Sequence, residues 1–227
     1  MKKWLFALFC LCFNAYSAVD VGVFYGTTFG NKLKEFNAKD GGIGHTVNVK
    51  AELANKPTSK HVMGLEGEVS LHENFAIGGE FFYAKYKTET GDITINESNG
   101  LTYKTTFPKF NTEIYALTPF AVIKQDYGSL TPFIGLGYSV ARGIVDNTKF
   151  SSDNNYGIGG KKTSLFIHGF VIKIGAFYNF EKFKIGLQYG FRDYKIADTN
   201  QQFRSFNTGF TGGIKSQQIT IHLRYIV

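Results

Sequence analysis

An all-β fold is what this sequence predicts: eight antiparallel strands in up-and-down order, closed into a barrel. The first observation is alternation of large apolar with glycine, polar or charged residues, clearest over residues 183–192 and 218–225. The second is that strand-like segments are joined in turn by short turns and long polar loops. The third is that the final segment carries a large apolar residue at every odd position from Ile219 to Val227, and a closed sheet gives such a strand a partner on each side.

Residue size decides which face of these strands points outward. In the segment from Phe183 to Arg192, odd positions carry Phe, Ile, Leu and Tyr, whereas even positions carry Gly, Gln, Lys and Arg. The interior of a barrel of roughly eight strands is just wide enough to be filled by side chains, so the large apolar face would overfill it. That face is expected to point outward, where it would aggregate in water but match lipid. The barrel is therefore predicted to be transmembrane.

The strand segments follow in chain order from the same alternation, and each has about 10 residues, the length of a tilted membrane crossing. They are residues 19–26, 63–71, 75–86, 111–124, 130–140, 170–178, 183–192 and 218–227. A weaker alternating piece at residues 47–53 is interpreted as a hairpin that rises out of the barrel. Pro119 lies inside the fourth segment and predicts a β-bulge there, because proline cannot donate to a strand ladder.

The connections alternate in length along the chain. Tight polar turns are predicted at residues 72–74, 125–129 and 181–182, and long polar loops at residues 30–60, 87–109, 146–162 and 197–213. An even strand number with short turns at one end and long loops at the other is the pattern of an outer-membrane barrel.

A secretory signal peptide is predicted at residues 1–17, which leaves residues 18–227 as the barrel domain. Lysines precede an apolar run from Trp4 to Phe13, and small residues lie before the expected cleavage site after Ser17. The alternative interpretation of this run is a buried N-terminal helix. Both cysteines lie within the run, so the exported chain would need no disulfide and would have no metal thiolate or thiol catalyst. No cofactor is expected.

At this point the sequence resembles the small eight-stranded outer-membrane barrels of the OmpA/OmpX type. The segment from Thr131 to Tyr138 is similar to the Thr-Pro-(Tyr/Phe)-x-Gly-x-Gly-x-Tyr strand of surface-antigen and opacity-type barrels. The end of the chain resembles the signal that the outer-membrane assembly machinery reads, with Val227 where that signal usually has Phe or Trp. The residues of this expected signal are Ile221, Leu223, Tyr225 and Val227.

Charged residues on the predicted inner face come from strands on both sides of the barrel. In a narrow interior such charges must pair, because an unpaired buried charge costs several kcal/mol. The resemblance implies the same arrangement, a lumen plugged by ion pairs. A filled lumen without a wide pore is predicted, the alternative being charges that sit in columns of water. The predicted network consists of Glu66, Glu68, Glu80, Lys173, Lys184, Arg192 and Arg224.

The remaining chemistry of the sequence favours a protein that is not an enzyme. His168 near Ser164 is the one histidine pairing close to a loop end, and no third catalytic member is evident. No spacing of His, Asp and Glu matches a metal site, so no metal is expected. The glycines and lysine at residues 157–161 have no strand-to-helix context, which argues against a phosphate loop.

The net charge of +7 suggests contact with anionic surfaces. Phosphates of lipopolysaccharide and acidic host glycans or proteins fit this balance, and simple hydration of the loops is the alternative. Nucleic acid is not expected, because the lysines do not form one patch. The first long loop is rich in lysine, with Lys32, Lys34, Lys39, Lys50, Lys56 and Lys60 against Glu35, Asp40 and Glu52.

The predicted protein is therefore a surface antigen of a Gram-negative outer membrane, with a structural or adhesive role carried by its external loops. Its partners would be membrane lipids, lipopolysaccharide and the assembly machinery. The alternatives are a small porin-like channel, a lipid-modifying outer-membrane enzyme, and a soluble lipocalin-like carrier with its apolar side chains inside.

Overall fold

The structure is a computed structural model that describes residues 18–33, 37–39, 47–48, 58–88, 91–97, 102–107, 110–146, 162–197, 201–203 and 206–227. The predicted signal peptide and the side chains of the lysine-rich first loop lie outside the described residues. The strands are β1 (Val19–Leu33), β2 (Asn37–Lys39), β3 (Val47–Asn48), β4 (Thr58–His72), β5 (Phe75–Thr88), β6 (Gly91–Glu97), β7 (Thr102–Phe107), β8 (Phe110–Lys124), β9 (Leu130–Asp146), β10 (Lys162–Phe180), β11 (Phe183–Ile196), β12 (Gln201–Phe203) and β13 (Phe206–Ile226). None of the described segments contains a helix of the length and apolarity that crossing a membrane requires.

Eight long strands form one closed antiparallel wall, which confirms the predicted fold class. Strands β1, β4, β5, β8, β9, β10, β11 and β13 each pair with the next, and β13 also pairs with β1 to close the barrel. The predicted segments lie within these strands, with Val227 just past the end of β13. The wall strands run for 14 to 21 residues. They are longer than predicted because pairing continues beyond the alternating apolar stretch at the end that carries the long loops.

The two rims of the barrel differ as predicted. Tight turns at residues 73–74, 125–129 and 181–182 join the wall strands at one rim, the short-turn end. The long connections leave the opposite rim, the long-loop end. The connection at residues 89–109 is not purely irregular, because β6 and β7 form a hairpin in it. The expected hairpin at residues 47–53 is seen only as β3, which pairs with β6.

The register of the wall climbs steadily around the barrel. Cross-strand partners lead from Val19 through every wall strand and back to β1 at Phe29, ten residues further along. The partners on the way are Val69, Ile77, Ala121, Leu136, Ile172, Phe191 and Gln217. Such a shear tilts the strands relative to the barrel axis. A row of partners therefore rises obliquely toward the long-loop end.

The bulge predicted at Pro119 is absent. The β8–β9 ladder pairs Leu117 with Val140 and Phe120 with Gly137, which is the same register on both sides of the proline. Pro119 lacks an N–H donor, so the ladder is interrupted there without an inserted residue. On its other side Pro119 keeps its place opposite Gly79 in β5.

Large apolar side chains cover the outside of the wall, as residue size predicted. Leu187 and Ile221 are 59% and 62% exposed. Glu66 and Arg224, which point to the inner face, are only 6% and 3% exposed. The strands therefore present hydrocarbon outward and polar groups inward.

The lumen also holds large apolar side chains, which the prediction from size did not allow. Toward the long-loop end they form a buried cluster that includes Phe82, Ile114 and Ile167. Room for inward aromatic rings comes from glycines that are paired with them on the neighbouring strand. A Cβ on Gly186, for instance, would lie 2.4 Å from the ring of Phe177. Glycine on the polar face thus makes space for rings as well as for charges.

Candidate functional site

A network of ionisable side chains crosses the lumen at the short-turn half of the barrel. Its members come from seven of the wall strands and share the inward parity of those strands. We call it the lumenal network. It consists of Asp20, Glu66, Glu68, Glu80, Lys124, Lys173, Lys184, Arg192, His222 and Arg224.

Glu80 occupies the centre of the lumenal network. Its two carboxylate oxygens accept one hydrogen bond each, from Lys173 Nζ and from Arg192 Nη2. These three side chains are at most 1% exposed. Charge-assisted bonds of this kind are what a charge removed from water requires, since an uncompensated charge would cost several kcal/mol. The carboxylate therefore joins the two cations across the lumen.

Arg192 also binds neutral groups around Glu80. Its Nε donates to Gln218 Oε1 at 3.1 Å, and its Nη1 donates to the Tyr194 hydroxyl at 3.2 Å. The guanidinium carbon lies 4.2 Å from the centroid of the Phe82 ring. Arg192 thus links the ionic half of the lumen to the apolar cluster beside it through a cation–π contact.

Arg224 binds two carboxylates of β4 at once. Its Nε and Nη2 donate to the two oxygens of Glu66 at 2.7 and 2.9 Å, which is a bidentate pair. Its Nη1 donates to Glu68 Oε2 at 2.6 Å. The guanidinium also lies 4.1 Å from the centroid of Phe177. One cation of β13 therefore holds two acids of a strand that it does not pair with.

His222 completes the surroundings of Glu66. Its Nδ1 lies 2.6 Å from Glu66 Oε1, and its Nε2 lies 2.8 Å from the Thr220 hydroxyl. Phe24 stacks on the imidazole with ring centroids 5.2 Å apart. Both nitrogens of this buried ring are hydrogen-bonded, so the ring is fixed in place.

Lysines close the lumen at the short-turn end. Lys184 Nζ donates to Asp20 Oδ2 at 2.6 Å, and Lys124 Nζ donates to Glu68 Oε1 at 2.8 Å. The cavity that these side chains line with Thr131 measures about 10 Å³. That is room for about one water molecule. The arrangement is a plug of side chains, not a lined passage.

The structure places all seven residues of the predicted network on the inner face and gives each an ion pair within it. Sequence reasoning missed Asp20, Lys124 and His222 as further members. Asp20 and His222 could have been found from the strand pattern, since they alternate with outward residues as Glu66 and Arg224 do. Lys124 was harder to find, because Pro119 obscured the register of β8.

The histidine and serine singled out as a catalytic pairing lie on the outer face. The Tyr138 hydroxyl lies 2.5 Å from His168 Nδ1. Ser164 Oγ accepts a hydrogen bond from Arg142 Nε at 2.8 Å. Each therefore binds a residue of β9, and this geometry is not that of a serine activated by histidine. In the described part of the chain, no group of three or more His, Cys, Asp or Glu side chains is arranged to hold a metal ion.

The outer face is organised in three zones along the barrel axis. Aliphatic side chains form the middle zone, exemplified by Leu136, Ile174 and Leu223. An aromatic girdle borders it at the short-turn end, formed by Phe75, Tyr127, Tyr178, Phe180, Phe183 and Tyr225. A second girdle borders it toward the long-loop end, formed by Tyr25, Phe29, Phe81, Tyr115, Tyr138, Phe166, Phe170 and Tyr189. The residues of the expected assembly signal are part of this face, with Ile221, Leu223, Tyr225 and Val227 all exposed.

Comparison with known proteins finds similarity in structure only. No protein-family profile matches the chain, and no curated protein matches it in sequence.

Several solved structures share its architecture, and two illustrate the likeness. The crystal structure of Neisserial surface protein A is 14% identical, with a TM-score of 0.50 over 92% of this chain and 97% of that one. The outer membrane protein OprG from Pseudomonas aeruginosa is 11% identical, with a TM-score of 0.52 over 93% of this chain and 96% of that one. At these identities the likeness concerns the fold. The chain therefore has the fold of the small eight-stranded outer-membrane β-barrels.

Proposed function

We propose that this protein is embedded in a Gram-negative outer membrane as a closed barrel and presents its long connections at the cell surface. The observation that carries the proposal is the outer face, an aliphatic zone bordered by two aromatic girdles. Such a band flanked by aromatic residues is how a barrel matches hydrocarbon between two polar interfaces. The lumen favours a structural role over that of a channel, because paired charges and apolar side chains fill it.

Insertion into lipid tests the embedding. Folded barrel in phospholipid vesicles should migrate differently on a gel before and after boiling. Arg substituted for Leu187 in the middle of the aliphatic zone should lower folding stability by roughly 2–4 kcal/mol. Arg substituted for Val140, near the long-loop end, should cost only about 0–1 kcal/mol. Equal effects at the two positions, or a protein that stays soluble without detergent, would reject the membrane assignment.

Conductance measurements distinguish the proposed structural role from the rival function of a small channel. The proposal expects no steady single-channel current when the purified barrel is added to a planar bilayer. The cavity of about 10 Å³ at the short-turn mouth is the observation behind this expectation. Stable current steps from the wild-type protein would replace the structural role by a porin-like one.

The role of the surface connections is proposed to be adhesion to acidic host surfaces. Support comes from the positive net charge, which is +7 for the full sequence and +5 once Lys2 and Lys3 leave with the predicted signal peptide, and from the lysine-rich first loop. Binding of whole cells to heparin-like glycan should fall when lysines 34, 50 and 56 are changed together to Glu. Cell binding that is unchanged by this reversal, with normal surface display, would remove the adhesive role and leave the structural one.

We propose that this protein has no enzymatic activity. His168 binds Tyr138 on the outer face and is not aligned with a nucleophile. Lipid A isolated from cells that express His168→Ala should have the same species as lipid A from cells that express the wild type. A species lost in the variant would favour the lipid-modifying alternative.

A further inference from the structure

An apolar groove crosses the outside of the wall from β4 to β10. It has a volume of about 980 Å³, and its lining is almost entirely hydrocarbon and backbone. We call it the outer groove. The outward-facing residues that define it are Gly67, Gly79, Pro119, Leu136, Phe170 and Ile172.

The floor of the outer groove is a row of residues without bulk. Gly67 pairs with Gly79, and Gly79 pairs with Pro119, so the three lie side by side on adjacent strands. A Cβ added to Gly79 would meet no described atom within 4 Å, and one added to Gly67 would meet only the Asp20 carbonyl oxygen at 3.9 Å. The inward Gly26 differs, because its Cβ would lie 2.0 Å from a carbonyl oxygen. Internal packing therefore does not require these outward glycines, and their effect is to leave space on the outside.

The walls of the outer groove are large and exposed. Leu136 and Phe170 are 64% and 68% exposed. Because register rows rise from β4 toward β10, the groove climbs obliquely toward the long-loop end. Four strand spacings give it a length of roughly 19 Å. A hydrocarbon groove of this length, which runs from the aliphatic zone into the second girdle at Phe170, fits an extended acyl chain.

Polar and basic groups lie directly above the upper end of the outer groove. The Tyr138 hydroxyl binds His168, Arg142 is exposed, and Lys195 pairs in register with His168. We call Tyr138, Arg142, His168 and Lys195 the rim cluster. Arg142 has five N–H donors, of which the one on Nε binds Ser164. This set of donors is complementary to a phosphate.

We propose that the outer groove and the rim cluster together bind one lipopolysaccharide molecule. An acyl chain lies in the groove, and a phosphate of the glucosamine headgroup is bound by Arg142 and Lys195. The occupant is lipopolysaccharide because the rim cluster lies at the long-loop end, which the proposed function puts in the external leaflet. The inference rests on the proposed function for this orientation.

Native mass spectrometry of the full-length barrel with added lipopolysaccharide tests the site. The wild type should retain one molecule. Gly79→Leu, which fills the floor, and the double variant Arg142→Glu/Lys195→Glu, which reverses the rim charge, should each bind about tenfold more weakly. Lys85→Glu, an exposed charge change at the same end on β5, should bind as the wild type does. Ala121→Phe fills the groove by a second route, should Gly79→Leu fail to fold.

The outcomes separate this inference from the proposed function. Shifted gel mobility after boiling shows which variants are folded and embedded. A wild-type protein that does not enter vesicles overturns the proposed function. Folded groove-filling variants that bind lipopolysaccharide as tightly as the wild type overturn the site alone. Equal competition by phosphatidylglycerol also overturns it, because the occupant would then be any anionic lipid.

Discussion

The two halves of the lumen are filled differently, since the short-turn half combines buried charges with aromatic rings and the long-loop half is almost entirely apolar. The short-turn half contains the lumenal network, in which Glu80 and Arg224 each bind more than one partner. The long-loop half is packed with apolar groups such as Ile114 and Ile167. On each strand that contributes to both, the charged residue lies nearer the short turn. A barrel lumen can thus be closed by paired charges or by hydrocarbon, and this protein uses both in sequence.

The two halves should differ in how much stability the barrel loses when one side chain is removed. Hydrocarbon packing loses what the missing atoms contributed plus a cavity term. An ion pair that loses one partner leaves a buried charge uncompensated, which is worse than losing the whole pair. The ionic half should therefore be the more sensitive to single changes, although its total contribution to stability need not be larger.

The largest expected effect is that of Glu80→Ala. It leaves Lys173 and Arg192 buried without their shared carboxylate, and the cost should be about 3–5 kcal/mol of unfolding free energy. Urea titration of the barrel in vesicles, with gel mobility as the readout, measures it. Replacing all three residues by Met should restore most of the stability. A triple variant no more stable than Glu80→Ala would contradict this account of the ionic half.

A somewhat smaller effect is expected for Ile114→Ala in the apolar half. The side chain is fully buried, so its truncation should cost about 3 kcal/mol through lost transfer energy and a cavity. The same titration measures it. Since no charge is involved, the loss should be the same in low and high salt. A loss that changes with salt would mean that the two halves are not energetically distinct.

Lys184→Met at the short-turn mouth should cost about 2–3 kcal/mol, because it leaves the buried Asp20 without its cation, although the lysine itself is partly exposed. It also removes a side chain that closes the mouth. Planar-bilayer recording should still show no steady current, since Arg224 and Lys124 remain behind it. Current steps from this variant alone would place the seal at the mouth and not along the whole lumen.

The smallest effect is expected on the outer face of the wall. Lys85 and Glu113 form an exposed ion pair at 3.5 Å, and Glu113→Ala should cost less than about 1 kcal/mol. It is the matched control for Glu80→Ala, a carboxylate lost from a water-exposed pair. A cost near that of Glu80→Ala would show that burial is not what makes the lumenal network sensitive.

Much of the fold could be predicted because strand alternation has a period of two and the two faces differ so strongly. Residue size alone placed Leu187 outside and Glu66 inside. The apolar filling of the lumen could not be predicted, because the fit of a ring such as Phe177 depends on Gly186 of a neighbouring strand. The pairing of Arg224 with Glu66 could not be predicted either. Sequence gives the face of each residue, whereas its height in the barrel depends on the register.

The reach of Arg224 has a consequence for how the chain is assembled. It belongs to the final strand, yet its hydrogen bonds go to Glu66 and Glu68, more than 150 positions earlier in the chain. Until β13 docks, those two acids lack their main counter-charge in a closing, water-poor interior. Closure of the barrel between β1 and β13 and the pairing of these two acids then occur in the same step. A half-built cylinder would be electrostatically incomplete, and its last strand would supply the missing cation.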